Sequence, residues 1–413
     1  MKKWIIALIG FAGGLGIGLL KDTMCSSQNI YSQLALFSEA LKLVKDNYVK
    51  DVEDKEIIYG AIKGITLSLD PYSSFLTPEM YKELEVETTG EFGGLGIEIT
   101  IKDSYLTIVA PIEDTPAYRA GLKSGDRILK INGEPTKDLS LMEAVKRLRG
   151  PKGTKVTLTI WREGVPKPFD VTITRDIIKI KSVKDADLGE GYVYIKIKNF
   201  QEDTSGEVRR AIEKYYNKSP INGLILDLRN NPGGLLSEAI KVSDLFLREG
   251  LIVYTKGRIA SSNMEFKADE EGYTDFPMIV LVNRGSASAS EIVASSLKDN
   301  RRAVLMGEKT FGKGSVQTIY RLSDSSGLRL TTALYYTPLH YQIQDNGLMP
   351  DIIFETGKPS ETAEEEEEPG EVEKMKFEPA SDPMVRSALG YLKSWNIWGK
   401  NLFIERNRES SAK

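Results

Sequence analysis

Met278-Ile-Val-Leu-Val-Asn-Arg-Gly-Ser-Ala-Ser-Ala-Ser-Glu-Ile-Val-Ala-Ser-Ser-Leu297 is the stretch that decides the fold of this 413-residue chain. Its first five residues are a short apolar run that reads as a buried strand. The run breaks at Asn283-Arg-Gly285, small residues follow, and Glu291 to Leu297 has the pattern of a helix. A strand, a tight turn and a helix N-terminus set a hydroxyl beside backbone N–H groups that have no helical partner, which suits a nucleophile and its oxyanion hole. Downstream, Ala303 to Met306 reads as a second strand. It runs into Gly307-Glu-Lys-Thr-Phe-Gly-Lys-Gly-Ser-Val-Gln317, which supplies a lysine. Upstream, Gly223-Leu-Ile-Leu-Asp-Leu-Arg229 is a buried strand ended by Asn230-Asn-Pro-Gly-Gly234, with a helix from Leu236 to Leu247. Further back, Gly191 to Phe200 is a strand and a helix follows from Thr204 to Tyr216. Strands that alternate with helices argue an α/β core.

The choice of base for such a hydroxyl is narrow. The chain has one histidine, His340, and one cysteine, Cys25. An internal disulfide is impossible and a Cys/His zinc site is excluded. Any mechanism that uses histidine must use His340. Net charge is −4 and no basic stripe stands out, which argues against nucleic acid. The length predicts two or more domains.

At the start, Met1-Lys-Lys-Trp4 followed by an apolar run to Leu20 reads as a signal peptide or signal-anchor over residues 1–25. No A-x-A-like cleavage site follows, and Met24 before Cys25 does not suit lipoprotein processing. This predicts an exported chain, in the cell envelope or periplasm, anchored to the cytoplasmic membrane by that segment. Residues 26–85 read as a helical region, with helices over Ile30 to Val49 and Asp54 to Leu69. Thr77 and Pro78 mark the start of another. Helices at both chain ends make a homodimer an expectation. Residues 357–383 are an acidic linker that holds Glu364 to Glu368. Residues 384–413 form a C-terminal helical segment, expected to pack on the N-terminal helices.

Between residues 86 and 175 the pattern changes to alternation with glycines. Glu91-Phe-Gly-Gly-Leu-Gly-Ile-Glu-Ile-Thr-Ile101 is a glycine loop feeding a strand. Ala120-Gly-Leu-Lys-Ser-Gly-Asp-Arg-Ile-Leu129 and Ile131-Asn-Gly133 follow. Over these residues the chain resembles a PDZ domain. The resemblance makes Gly94, Leu95, Gly96 and Ile97 the carboxylate-binding loop. An extended peptide would add a strand beside it. The Leu139–Leu148 helix would form the other wall, through Met142, Val145 and Leu148.

Three motifs compete around the opening stretch. Gly307 to Lys313 fits the spacing of a phosphate loop, but Gly314 stands where Ser or Thr should hold Mg²⁺, and a strand rather than a helix follows. Ser295-Ser-Leu-Lys298 is the S-x-x-K of penicillin-recognising enzymes without its S-D-N and K-T-G companions. The third is a Ser/Lys dyad across two elements. In chain order, Asp227-Leu-Arg-Asn-Asn-Pro-Gly-Gly234, Gly285-Ser-Ala-Ser-Ala-Ser-Glu291 and Gly307 to Gln317 resemble the signatures of the carboxyl-terminal processing peptidases, the tail-specific proteases.

That resemblance implies a multidomain α/β fold: a mixed-sheet serine protease core over residues 176–356, an inserted, mostly β PDZ domain, and helices at both ends. It implies Ser288 as nucleophile and Lys313, twenty-five positions later, as general base. Gln317 shares a face with Lys313 if both lie on one strand, and would hold its amine. The oxyanion hole would be the Ala289 N–H with that of Gly234, preferred to Gly233. Ser286 and Ser290 are read as packing or capping residues, Asp299 as structural or modulating, and His340 as a loop histidine. Tyr72 stands where relatives often have histidine. A free lysine titrates near ~10.4, so the base must be kept neutral, as burial would do. No metal or organic cofactor is implied. The expected partners are proteins or peptides with free C-termini. The alternative is a PDZ peptide-binding scaffold with an inactive protease core.

Overall fold

A computed structural model describes residues 30–269, 272–354 and 378–410, with residues 397–410 described by backbone alone. The signal-anchor reading, Cys25 and the acidic stretch from Glu364 to Glu368 lie outside the described residues. No described helix is long and apolar enough to cross a membrane. The chain divides into two units.

One unit comprises the described residues up to Thr77 together with Ile319–Leu330. A helix covers residues 30–47 and a second spans Asp54–Leu67. The strand Ser74–Leu76 pairs antiparallel with residues 327–329. Tyr59 holds this unit together by an edge contact on Phe75, 4.7 Å between ring centroids, and by donating its hydroxyl to Asp324.

The other unit holds the core anticipated from the alternating strands and helices. Its central sheet runs Val183–Asp187, Tyr192–Ile197, Gly223–Asp227, Met278–Val282, Val304–Gly307, Ile352–Ile353. The first pair is antiparallel and every later one is parallel, so the sheet is mixed. Such strands are buried on both faces and read as unbroken apolar runs. Alternate residues serve the two faces. Val193, Ile195, Leu224, Leu226 and Val280 pack under the helices Thr204–Tyr216, Leu236–Asp244 and Ala289–Asp299. Tyr192, Tyr194, Ile225, Ile279, Leu281 and Met306 face the other way. There they meet Met384, Val385, Ala388 and Leu392 of the C-terminal helix Pro383–Ser410. The buried apolar residues of this helix thus pack on the sheet. Among the described residues, its apolar stripe covers this second face of the sheet.

The same unit carries an all-antiparallel sheet in the order Ile97–Lys102, Tyr105–Pro111, Arg127–Ile131, Lys155–Trp161, Phe169–Thr174. Its core includes Leu95, Ile108, Ile128, Leu158 and Ile160. The chain enters and leaves this sheet through a two-stranded ribbon, Glu91–Gly94 against Asp176–Lys179.

Candidate active site

The parallel strands deliver their carboxyl ends to one edge of the sheet, where sites in open α/β sheets are built. Three loops meet there: the one after Asp227, the one after Val282 and the one after Gly307.

Ser288 sits between the second loop and the helix Ala289–Asp299, at φ 55° and ψ −116°. A positive φ is uncommon for a residue with a side chain, and such strain collects at functional positions. Of the three similar serines only Ser288 has this geometry. Ser286 and Ser290 are buried and donate to backbone carbonyls of the first loop, Ser286 to Leu228 at 2.8 Å and Ser290 to Asn231 at 2.9 Å. They stitch two loops together, which is more than the packing or capping expected of them.

Gly233 lies against the serine. A Cβ added there would stand 2.7 Å from the Ser288 Cβ and 2.9 Å from the Ala289 nitrogen. The Gly233 N–H is committed to the Asn231 side chain. Gly234 differs. Phe200 donates to the Gly233 carbonyl and the Leu235 N–H donates to that of Phe200. In a bridge of this form the N–H of the intervening residue, Gly234, points to the opposite side. Ala289 is the first residue of its helix, where the N–H has no helical partner. The Ala289 N–H follows Ser288 directly in the chain, and Gly233, the neighbour of Gly234, lies against it.

Glu291 joins the serine to the lysine loop, and the sequence reading assigned it no role. It is fully buried. One carboxylate oxygen accepts the Ser288 and Lys313 N–H groups, each at 2.9 Å. The other accepts the Gly312 N–H at 2.8 Å and the Thr310 hydroxyl at 2.5 Å. Burial pushes its carboxyl above the usual range, against the pull of these hydrogen bonds. The backbone nitrogens of Ser288 and Lys313 therefore share a single oxygen atom, across twenty-five positions of sequence.

Lys313 is half-buried, and its carbonyl accepts the Tyr335 hydroxyl. It lies in the loop ahead of the strand Ser315–Arg321, not on that strand. The argument that Lys313 and Gln317 share a strand face is therefore corrected. Gln317 is two residues into the strand, and its amide nitrogen donates to Ser315 at 2.9 Å and Thr331 at 3.4 Å. Gly314 is required by packing, since a Cβ there would meet the Gln344 nitrogen at 2.3 Å.

The rejected readings fall away on geometry. Lys298 is held by the Met349 carbonyl and Asp351, while Ser295 donates within its own helix. Asp299 ends that helix and accepts the Leu339 N–H. His340 pairs its ring with the Tyr254 hydroxyl at 2.8 Å. A cavity of about 750 Å³ lies at the opposite, amino-terminal ends of the strands, beside Met278, Val304 and Trp395. It contains none of the candidate catalytic residues.

In the antiparallel sheet, Ile97–Lys102 is an edge strand. A small cavity of about 80 Å³ beside it is lined by Gly94, Leu95, Gly96, Ile97, Val145 and Leu148, among others. Gly96 has φ 78°, and a Cβ would collide with Thr115. Met142, expected in the groove wall, is instead 77 % exposed and does not line the cavity. The helix starts at Leu141, after a Ser140 cap, and turns Met142 outward.

Residues 191–354 match peptidase family S41, residues 107–162 match the PDZ domain, and residues 19–80 match the N-terminal domain of the activating protease CtpB. A carboxy-terminal-processing protease of Bartonella bacilliformis is 48% identical over 344 residues, which are 82% of this chain and 78% of that one. The chain belongs to peptidase family S41. It is a serine peptidase of the carboxy-terminal-processing kind, with a PDZ domain. A carboxyl-terminal-processing protease of a Synechocystis species is 44% identical over 321 residues, 76% of this chain and 75% of that one. A solved photosystem II D1 C-terminal processing protease is 30% identical and covers 76% of this chain and 86% of its own, with a TM-score of 0.46.

Proposed function

We propose that this S41 peptidase binds the free C-terminus of a protein in its PDZ groove and cleaves peptide bonds by acyl transfer to Ser288, with Lys313 as general base. The observation that carries the reading is the Glu291 carboxylate, which gathers the strained serine and the lysine loop onto one anchor.

In the acylation step the neutral Lys313 amine takes the Ser288 proton as Oγ attacks the carbonyl carbon. Charge develops on the carbonyl oxygen and is met by the Ala289 and Gly234 N–H groups. Lys313 then gives the proton to the departing amine. Water attacks the acyl-enzyme with Lys313 again accepting a proton, and Ser288 is restored. Gln317, two residues into the strand that follows this loop, would orient the amine through its amide oxygen, its amide nitrogen being anchored on Ser315 and Thr331.

Tail recognition rests on the edge strand Ile97–Lys102 and the glycine loop ahead of it. An extended peptide can add to that edge while the loop N–H groups hold its carboxylate. Val145 and Leu148 supply an apolar seat for the last side chain. Residues 1–25 would anchor the exported protein to the membrane, and the helix over 30–47 would pair two copies. Protease protection of the chain in intact and lysed cells tests the anchoring.

The deciding experiment compares wild type, Ser288→Ala and Lys313→Arg on an unstructured protein, with its C-terminus free or amidated. Arginine is of similar length but stays protonated, so it cannot serve as a neutral base. Both variants should lose turnover while they still bind the free tail, and amidation should weaken binding to all three. Equal cleavage by all three proteins would remove the dyad. Tail binding without turnover by wild type would favour the scaffold alternative.

A further inference from the structure

We infer that Asn231 is a positioning residue for the oxyanion hole, the part that fixes the distance between that hole and the nucleophile. The inference rests on the reading of Ser288, Ala289 and Gly234 given above.

Asn231 is fully buried at the centre of three segments. Its side-chain nitrogen donates to the Ile197 carbonyl at 2.9 Å, at the end of a central strand. Its side-chain oxygen accepts the Gly233 N–H at 2.9 Å. Its own carbonyl accepts the Ala287 N–H at 3.0 Å and the Ser290 hydroxyl at 2.9 Å. One residue thus ties the sheet, the glycine loop and the nucleophile turn to a common point.

Two consequences follow from these bonds. By holding the Gly233 N–H, Asn231 removes it as a donor to substrate and leaves that task to Gly234, on the other side of the chain. By accepting from Ala287 and Ser290, it sets the residues on either side of Ser288 and Ala289. No aspartate could replace it. Its second oxygen would face the Ile197 carbonyl, an acceptor against an acceptor in a buried site. Oxyanion donors act only when aimed at the position where charge develops, so a shift of this loop should act on the chemical step more than on binding.

The test is Asn231→Asp in the full-length enzyme, which preserves volume, with Ser290→Ala as a milder second variant. Substrate turnover, peptide binding and inhibition by a peptidyl boronate, which forms a tetrahedral adduct, are measured together. Asn231→Asp should lower kcat by roughly 10–100-fold, a fraction of the loss typical of deleting an oxyanion donor. KM should stay within about threefold, since binding of ground state and transition state separate here. Boronate affinity should fall in step with kcat. Ser290→Ala should lose kcat several-fold in the same pattern, and it decides the matter if the aspartate variant does not fold. A variant with a lowered melting temperature but wild-type kcat and boronate affinity would overturn the inference. Cleavage by Ser288→Ala would instead overturn the reading beneath it.

Discussion

Glu291 is a buried acid whose two oxygens accept four donors, three of them from the lysine loop. Glutamine would keep its shape but replace one oxygen with an amide nitrogen that cannot accept. Two N–H groups, or one and the Thr310 hydroxyl, would then lose their partner, at about 1–3 kcal/mol for each buried group. Glu291→Gln should therefore lower the melting temperature and reduce kcat by at least 100-fold, by releasing Lys313 from Ser288. Thermal melting beside steady-state kinetics checks this, and full activity in a stable Glu291→Gln protein would rule out the anchoring role. At this scale the sequence was informative about identity and silent about partners across the fold. Ser288 and Lys313 came from ordered motifs. Ser288 and Glu291 have the spacing of a capping box, which the sequence shows, but the bonds of Glu291 to Lys313 and of Asn231 to Ile197 cross the fold, and no spacing within a helix or strand pairs such positions. Lys313 on a strand was a wrong reading for a local reason. Gly314 packs against residue 344, which delays the strand to Ser315.

Among the described elements, the helix over residues 30–47 carries a row of exposed apolar residues that Tyr48, just past its end, continues. Ile30, Leu34, Phe37, Leu41, Val44 and Tyr48 follow one another at alternating steps of four and three, the repeat that pairs helices. All but the half-buried Leu41 are exposed, Ile30 and Tyr48 by about 60%. Exposed apolar rows of this kind mark interaction surfaces. A repeat that matches itself suits a second copy across a twofold axis. Sedimentation velocity on the chain without residues 1–25 should show a dimer, and Phe37→Glu with Val44→Glu should give a monomer of unchanged peptide-bond specificity. A monomeric wild type at micromolar concentration would dismiss the pairing. The apolar spacing predicted this helix well, as it did the central strands, since both have strong periodicity. Met142 was harder to read. It lies on the short helix Leu141–Leu148, in which Ala144 and Leu148 are the buried residues, and a four-residue spacing leaves Met142 on the opposite side.

For the molecule as a whole, the loop that holds Asn231 and Gly234 is tied to the C-terminal helix by charge. Burial alone would push the Asp227 carboxyl up, but Arg229, with Lys196 and the Tyr194 hydroxyl, holds it below the ordinary carboxylate range. Arg229 forks onto Asp227 at 2.7 Å and reaches Asp382 at 3.0 Å. Asp382 also accepts the Met384 and Val385 N–H groups, and so caps the helix that covers the sheet's second face. Nothing local in the sequence could join Arg229 to Asp382, because 153 positions separate them. Two substitutions divide the two roles. Asp382→Asn keeps a capping oxygen and removes the charge, and should cost about 1 kcal/mol, since Asp382 is one-third exposed and its pairing is screened. Asp382→Ala removes the cap as well, for about 1 kcal/mol more. The acid limb has a definite sign. Because the folded Asp227 carboxyl titrates below its unfolded value near ~3.9, its stabilisation is complete above that value and is lost as pH falls through the folded one. Wild type should therefore lose melting temperature steeply below about pH 4, and Asp227→Asn should be less stable at neutral pH with a flatter acid limb. Melting curves across that range, with equal values for wild type, Asp382→Asn and Asp382→Ala, would show that the helix is held by its apolar face alone.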